Sequence, residues 1–222
     1  MILLAIASAL PFLARTPGGV ERVDLSPFVR LEVITADTLF TGTGLTFDYS
    51  VQGLRMVSDY GADTLCWVAD GPAAALASAM ASGASSVVER RTLAVLACTE
   101  SYVGGVIAVN SSRDARSISR YRAYRTWLLS GVPLDLDAVV QRDSLFECTL
   151  RTAIGVPMGR DLDSWLWRRG YWLDPQSFLL LPSSEGGMIL ELGLPSWQGI
   201  DSLLVVDLDL GDLHTAAAAM LD

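Results

Sequence analysis

Apolar and polar positions alternate most clearly from Leu45 to Val51. Leu45, Phe47, Tyr49 and Val51 fall on one face, and Thr46, Asp48 and Ser50 on the other. A period of two predicts a half-buried β-strand. Phe28 to Ile34 repeats the pattern with Arg30 and Glu32 at alternate positions, and Phe40-Thr-Gly-Thr-Gly44 between the two runs reads as a turn.

The middle third changes character. Thr64 to Ala69 and Thr92 to Thr99 are short, nearly continuous apolar runs, the signature of buried strands. Between them Asp70-Gly71-Pro72 marks a corner, and Ala73 to Arg90 predicts a helix with Ala73, Ala77 and Ala81 on one face. Strand, helix and strand over about 35 residues have the size of a βαβ unit, which would make the two strands parallel. Val106 to Val109 adds a strand. Ser112 to Leu129 is expected to be helical, closed by Gly131 and Pro133.

Short helices are predicted over 135–142 and 161–169, while 144–154 fits either a strand or a helix. Ser177 to Pro182 and Met188 to Leu192 read as a hairpin, and Leu203 to Leu210 as a last strand. Helices are expected near both ends, Ile2 to Ala9 and Asp212 to Leu221. The whole predicts one α+β domain over residues 1–222, preceded by an apolar segment at 1–14. Its mixed sheet would hold a central βαβ unit at about 63–99 and additional antiparallel strands. A three-layer α/β fold is the alternative.

Composition narrows the chemistry. The 222 residues are 51% hydrophobic and 18% charged, with mean hydropathy +0.38, which suits a folded core and excludes disorder. All 16 basic residues are arginine. Without lysine there is no phosphate-cradling lysine, Schiff base or Ser-Lys pair, and a single histidine forbids a multi-histidine zinc site. The net charge of -9 argues against a surface that binds nucleic acid all over.

Cys66, Cys98 and Cys148 are odd in number and form no Cys-x-x-Cys pair. They read as buried free thiols in a reducing compartment. Met1 to Ala14 is apolar but has no basic flank, and as a helix it would reach only ~21 Å against a hydrocarbon core of ~30 Å. No transmembrane span and no secretory signal are expected, so the location reads as cytoplasmic or particle-associated.

Three constellations stand out. Arg113 to Arg125 carries five arginines and one aspartate, and at helical spacing Arg113, Arg116, Arg120, Tyr124 and Trp127 form one stripe. Such a stripe suits an anion, a nucleic-acid strand or the carboxylates of a partner subunit. Trp165, Trp167 and Trp172 lie within eight residues, with Arg168 and Arg169 among them. Tryptophan and arginine are enriched where interfaces carry their energy, and a helix cannot hide Trp165 and Trp167 on one face.

The third is Asp207-Leu-Asp209, followed by Asp212 and His214. Asp207 and Asp209 are weak metal candidates. They resemble the nucleophile motif of haloacid dehalogenase phosphatases only superficially, because Gly211 stands where that family has threonine or valine. His214 has no Gly-x-Ser-x-Gly nucleophile to serve, and Gly42-Thr-Gly44 lacks the third glycine of a dinucleotide site.

No cofactor and no catalytic residue is predicted. The leading expectation is a non-enzymatic structural or assembly subunit of a larger complex, such as a phage or virus structural component, whose partners are other protein subunits. The alternatives are an α/β enzyme or ligand-binding domain that uses Asp70, Asp207 and Asp209 around an anionic substrate or Mg²⁺, with Arg113, Arg116 and Arg120 as clamp, and an Arg-stripe nucleic-acid module.

Overall fold

The computed structural model describes residues 22–69, 72–99, 101–114, 117–184, 186–198 and 202–215. The expected helices at 2–9 and, for most of its length, 212–221 fall outside them.

Two sheets carry the fold. The larger has seven strands: β1 (Arg22–Ser26), β2 (Val29–Gly42), β3 (Leu45–Ser58), β4 (Gly61–Trp67), β5 (Ser86–Cys98), β6 (Tyr102–Arg113) and β7 (Ser117–Leu128). Its order is β1-β2-β3-β5-β6-β7, with β4 also paired to β3. The smaller is antiparallel, in the order β10-β9-β8, from β8 (Phe178–Pro182), β9 (Met188–Pro195) and β10 (Leu203–Asp209). Among the described residues three helices complete it: α1 (Pro72–Ala81), α2 (Ser144–Ala153) and α3 (Leu162–Arg168). This is the α+β arrangement with a mixed sheet that the pattern predicts.

The β2–β3 hairpin closes through Thr43 and Gly44, both at positive φ (51° and 79°), as a two-residue turn compatible with strand twist requires. Leu45, Phe47, Tyr49 and Val51 all face inward, and the rings of Phe47 and Tyr49 stack at 5.5 Å. α1 packs over them through Ala75, Leu76 and Ala79.

The βαβ unit forms with a different parallel pair from the one expected. β5 runs parallel to β3 from Thr46 to Val51, while β4 folds back antiparallel on β3 from Gly53 to Ser58. One edge of β3 thus serves two strands in turn. Gly53 sits at the changeover, where a side chain would be driven into the Cys66 carbonyl oxygen. α1 also ends at Ala81 instead of running to Arg90. Gly83 at φ +69° closes the turn, and Val87 and Val88 enter β5.

The described residues from Ser112 to Leu129 are not helical. They form the end of β6, a turn through Asp114 at φ +50°, and β7. The turn is held by Asp114 Oδ1, which accepts hydrogen bonds from the backbone N–H groups of Ser85 and Ser86. Over 135–142 only Leu136–Ala138 forms a single 3₁₀ turn, capped by Asp135. The ambiguous 144–154 stretch is α2, opened by Asp143.

The sheets join where β8 meets β6 and β7. The Tyr124 N–H donates to Ser177 Oγ at 2.9 Å, and the Tyr102 hydroxyl donates to the Leu180 carbonyl at 3.1 Å. On its other side the small sheet buries Leu190, Leu192, Leu194, Val206 and Leu208 against Phe146 and Leu150 of α2 and Leu162 and Leu166 of α3. Among the described residues no helix is long and apolar enough to cross a membrane.

Candidate functional site

α3 is only seven residues long, and both ends are fixed. Asp161 caps its start by accepting the Ser164 N–H at 2.8 Å, and that backbone bond holds the Asp161 carboxyl below the usual carboxylate range. At the other end Gly170 adopts φ +88°. Its N–H donates to the Trp167 carbonyl, and that of Tyr171 to the Leu166 carbonyl, the paired bonds of a Schellman stop. Leu162 and Leu166, one turn apart, anchor the helix in the core.

With that face inward, Trp165 and Trp167 must part. Trp165 packs against the core edge, and the Arg169 guanidinium lies 4.1 Å over its ring. Trp167 points to solvent at 58% exposure, yet it is held. Its ring stacks on Trp197 with centroids 4.9 Å apart and planes at 21°, and the Trp197 indole N–H donates to the Trp167 carbonyl at 3.0 Å. Trp197 is itself 45% exposed, and its own backbone N–H bonds the Gly170 carbonyl.

Trp172 turns the other way and stacks on Tyr121 of β7 at 5.8 Å. The Tyr121 hydroxyl donates to Asp174, which also pairs with Arg125. Burial raises the Tyr121 phenol above its ordinary value.

Three clefts surround this short helix. The largest, about 600 Å³, runs between Trp165, Arg169 and Tyr171 on one side and Leu204 to Asp207 of β10 on the other. The second, about 520 Å³, gathers Arg160, Arg168 and Arg169. The third, also about 520 Å³, is lined by Trp167, Arg168, Tyr171 and Trp172. Eight arginines elsewhere pair with carboxylates of the chain itself: Arg22, Arg30, Arg55, Arg90, Arg91, Arg125, Arg142 and Arg151. Among the described residues Arg160, Arg168 and Arg169 have no such partner.

The arginine stripe does not exist as a helical face. Arg113 ends β6, Arg120 lies exposed on β7, and Arg116 is outside the described residues. Tyr124 and Trp127 are both buried, on opposite faces of β7. Tyr124 meets Gly193 of the small sheet, while Trp127 enters the core of the large one. Neither can stack on a ligand.

Asp207 and Asp209 are exposed on one face of β10, but Asp209 caps the following turn by accepting the Gly211 N–H at 2.8 Å. Asp70 is outside the described residues, and among those described no group of three or more His, Cys, Asp or Glu side chains could hold a metal ion. His214 Nδ1 lies 2.7 Å from Asp143 Oδ2, so it is bound to a helix cap and not to a nucleophile. Of the cysteines, Cys98 is buried and Cys66 partly so, each pushed up to about 11 by burial, whereas Cys148 is exposed, contrary to its apolar neighbours in sequence.

The sequence singled out Trp165, Trp167, Trp172, Arg168 and Arg169, and the fold gathers all five around α3. It gave no sign of Trp197 and Tyr121, which lie 30 and 51 positions from their stacking partners. No family model and no curated protein matches the chain. Among solved structures it is similar to the crystal structure of a member of the DUF3298 family from Bacteroides fragilis, with 12% identity and a TM-score of 0.42, covering 82% of this chain and 91% of that one.

Proposed function

We propose that the chain is a non-enzymatic assembly subunit that docks on a partner protein through the Trp167–Trp197 stack. The observation that carries this reading is the pairing of half-exposed indoles that are nonetheless fixed by stacking, by an indole hydrogen bond and by a Schellman stop. A side chain already ordered loses little entropy on binding, and the area still open on two indoles is worth on the order of 5 kcal/mol gross when covered. Arg168 beside the pair adds a guanidinium that no carboxylate engages among the described residues. The complex is cytoplasmic or part of a particle.

Light scattering behind size exclusion at micromolar concentration tests this, with the parent compared with Trp167→Ala and Trp197→Ala. Self-association or capture of a defined partner should be lost in both variants while the fold remains. A parent that stays monomeric and partnerless, or variants that associate as well as the parent, would defeat the reading.

A further inference from the structure

The cleft beside β10 lies on the opposite side of α3 from the Trp167–Trp197 stack, since Trp165 and Trp167 are about 200° apart around the helix. Four consecutive residues of one strand, Leu204, Val205, Val206 and Asp207, line it. Successive side chains point to opposite faces of a sheet. A cavity bounded by all four must therefore run along the strand's edge, against its backbone. Among the described residues β10 is the outer strand of its sheet and pairs only with β9.

The direction of the free backbone groups follows from the register. The Gly193 N–H donates to the Ser177 carbonyl at 2.8 Å, so Gly193 turns its polar groups toward β8. Val205 is its partner in β10. In an antiparallel pair whose one member turns away, the other turns away as well. Val205 and, two residues on, Asp207 therefore aim N–H and C=O into the cleft. Among the described residues no backbone group outside β9 bonds β10 between Leu203 and Asp207.

Edge strands usually carry a lysine, a proline or a bulge that blocks further pairing. β10 has no lysine, proline or bulge, its charges are confined to Asp207 and Asp209 at its far end, and its register with β9 is unbroken. A row of alternate N–H and C=O groups is matched only by another extended backbone. The facing wall adds a charge, for Arg169 is set over Trp165 and has no carboxylate partner among the described residues.

We infer that this cleft is a strand-addition site, which takes an extended peptide segment of a partner chain that hydrogen-bonds to Val205 and Asp207 and presents a carboxylate to Arg169. The inference does not depend on the tryptophan stack, because the two surfaces are read by different variants.

The probe is a blocked hexapeptide, acetyl-Thr-Val-Glu-Val-Thr-Val-amide, titrated into the ¹⁵N-labelled full chain. The same peptide N-methylated at alternate residues and its Glu-to-Gln form serve as comparisons. The Val205 and Asp207 amides should shift and gain protection from hydrogen exchange. N-methylation, or Val205→Pro in the protein, should weaken binding about tenfold or more, since each removes an edge hydrogen bond. Arg169→Ala should remove the preference for Glu over Gln. Val205 does not bond β9, so the proline should leave the ladder intact, and should that variant fail to fold, the methylated peptide carries the same test.

Four results would overturn the inference: no shift at millimolar peptide, equal binding of the methylated form, β10 amides already protected in the free monomer, or a dimer that Val205→Pro dissolves, which would make the occupant a second copy. Trp167→Ala should leave peptide binding unchanged.

Discussion

The Thr126 hydroxyl donates to the Phe178 carbonyl at 2.6 Å in a fully buried position, and that bond ties β7 of the large sheet to β8 of the small one. Thr126→Val keeps the shape and removes the donor, leaving a buried carbonyl unsatisfied. The expected loss is about 1–3 kcal/mol, read as a lower midpoint in urea with an unchanged slope.

Gly53 is where β3 passes from one neighbour to another. Because a Cβ there meets backbone, which cannot rotate away, Gly53→Ala should destabilise by about 1–3 kcal/mol. Gly155→Ala offers a contrast. Nothing lies near its Cβ, so its cost comes from φ +68° alone and should be about 1 kcal/mol. Thermal midpoints of the two variants check the order.

Asp143 and Glu32 join Asp161 among the carboxyls that shape the acid limb of stability. The His214 ring and the Phe146 and Leu145 N–H groups hold Asp143 below its ordinary 3.8, and the Arg30 and Arg55 guanidinium groups hold Glu32 below its ordinary 4.5. A group whose value is depressed by folding lends stability above its unfolded value and loses it as pH falls through the folded one. Stability should therefore decline below about pH 4.5. Asp143→Asn, which keeps a capping side chain, and Glu32→Gln should each flatten that decline in chemical denaturation between pH 2 and 5.

Thiol labelling separates the cysteines. Burial keeps Cys66 and Cys98 protonated at neutral pH, while Cys148 is open on α2. One equivalent of Ellman's reagent should react quickly in the native protein and Cys148→Ser should abolish that phase. The other two thiols should appear only on unfolding.

The amino-acid pattern by itself determined those elements that bury one face. Leu45 to Val51 alternates because one side meets α1 and the other water. The α3 segment was legible as a short helix over 161–169, and the parting of Trp165 and Trp167 followed from helix geometry alone. Only the tertiary structure decided β7. Ala123 and Trp127 enter one core while Tyr124 and Thr126 meet the second sheet, and a strand covered on both sides leaves no period of two to read.

The long-range pairings were equally hidden, for a physical reason. β3 chooses β5 over β4 as its parallel neighbour, Trp197 finds Trp167 across 30 residues, and β10 keeps an edge that no other described strand pairs, because each depends on which surfaces remain once every other element has packed. Local sequence carries the preference of a segment for its own geometry. The partner it receives is settled by competition across the whole chain.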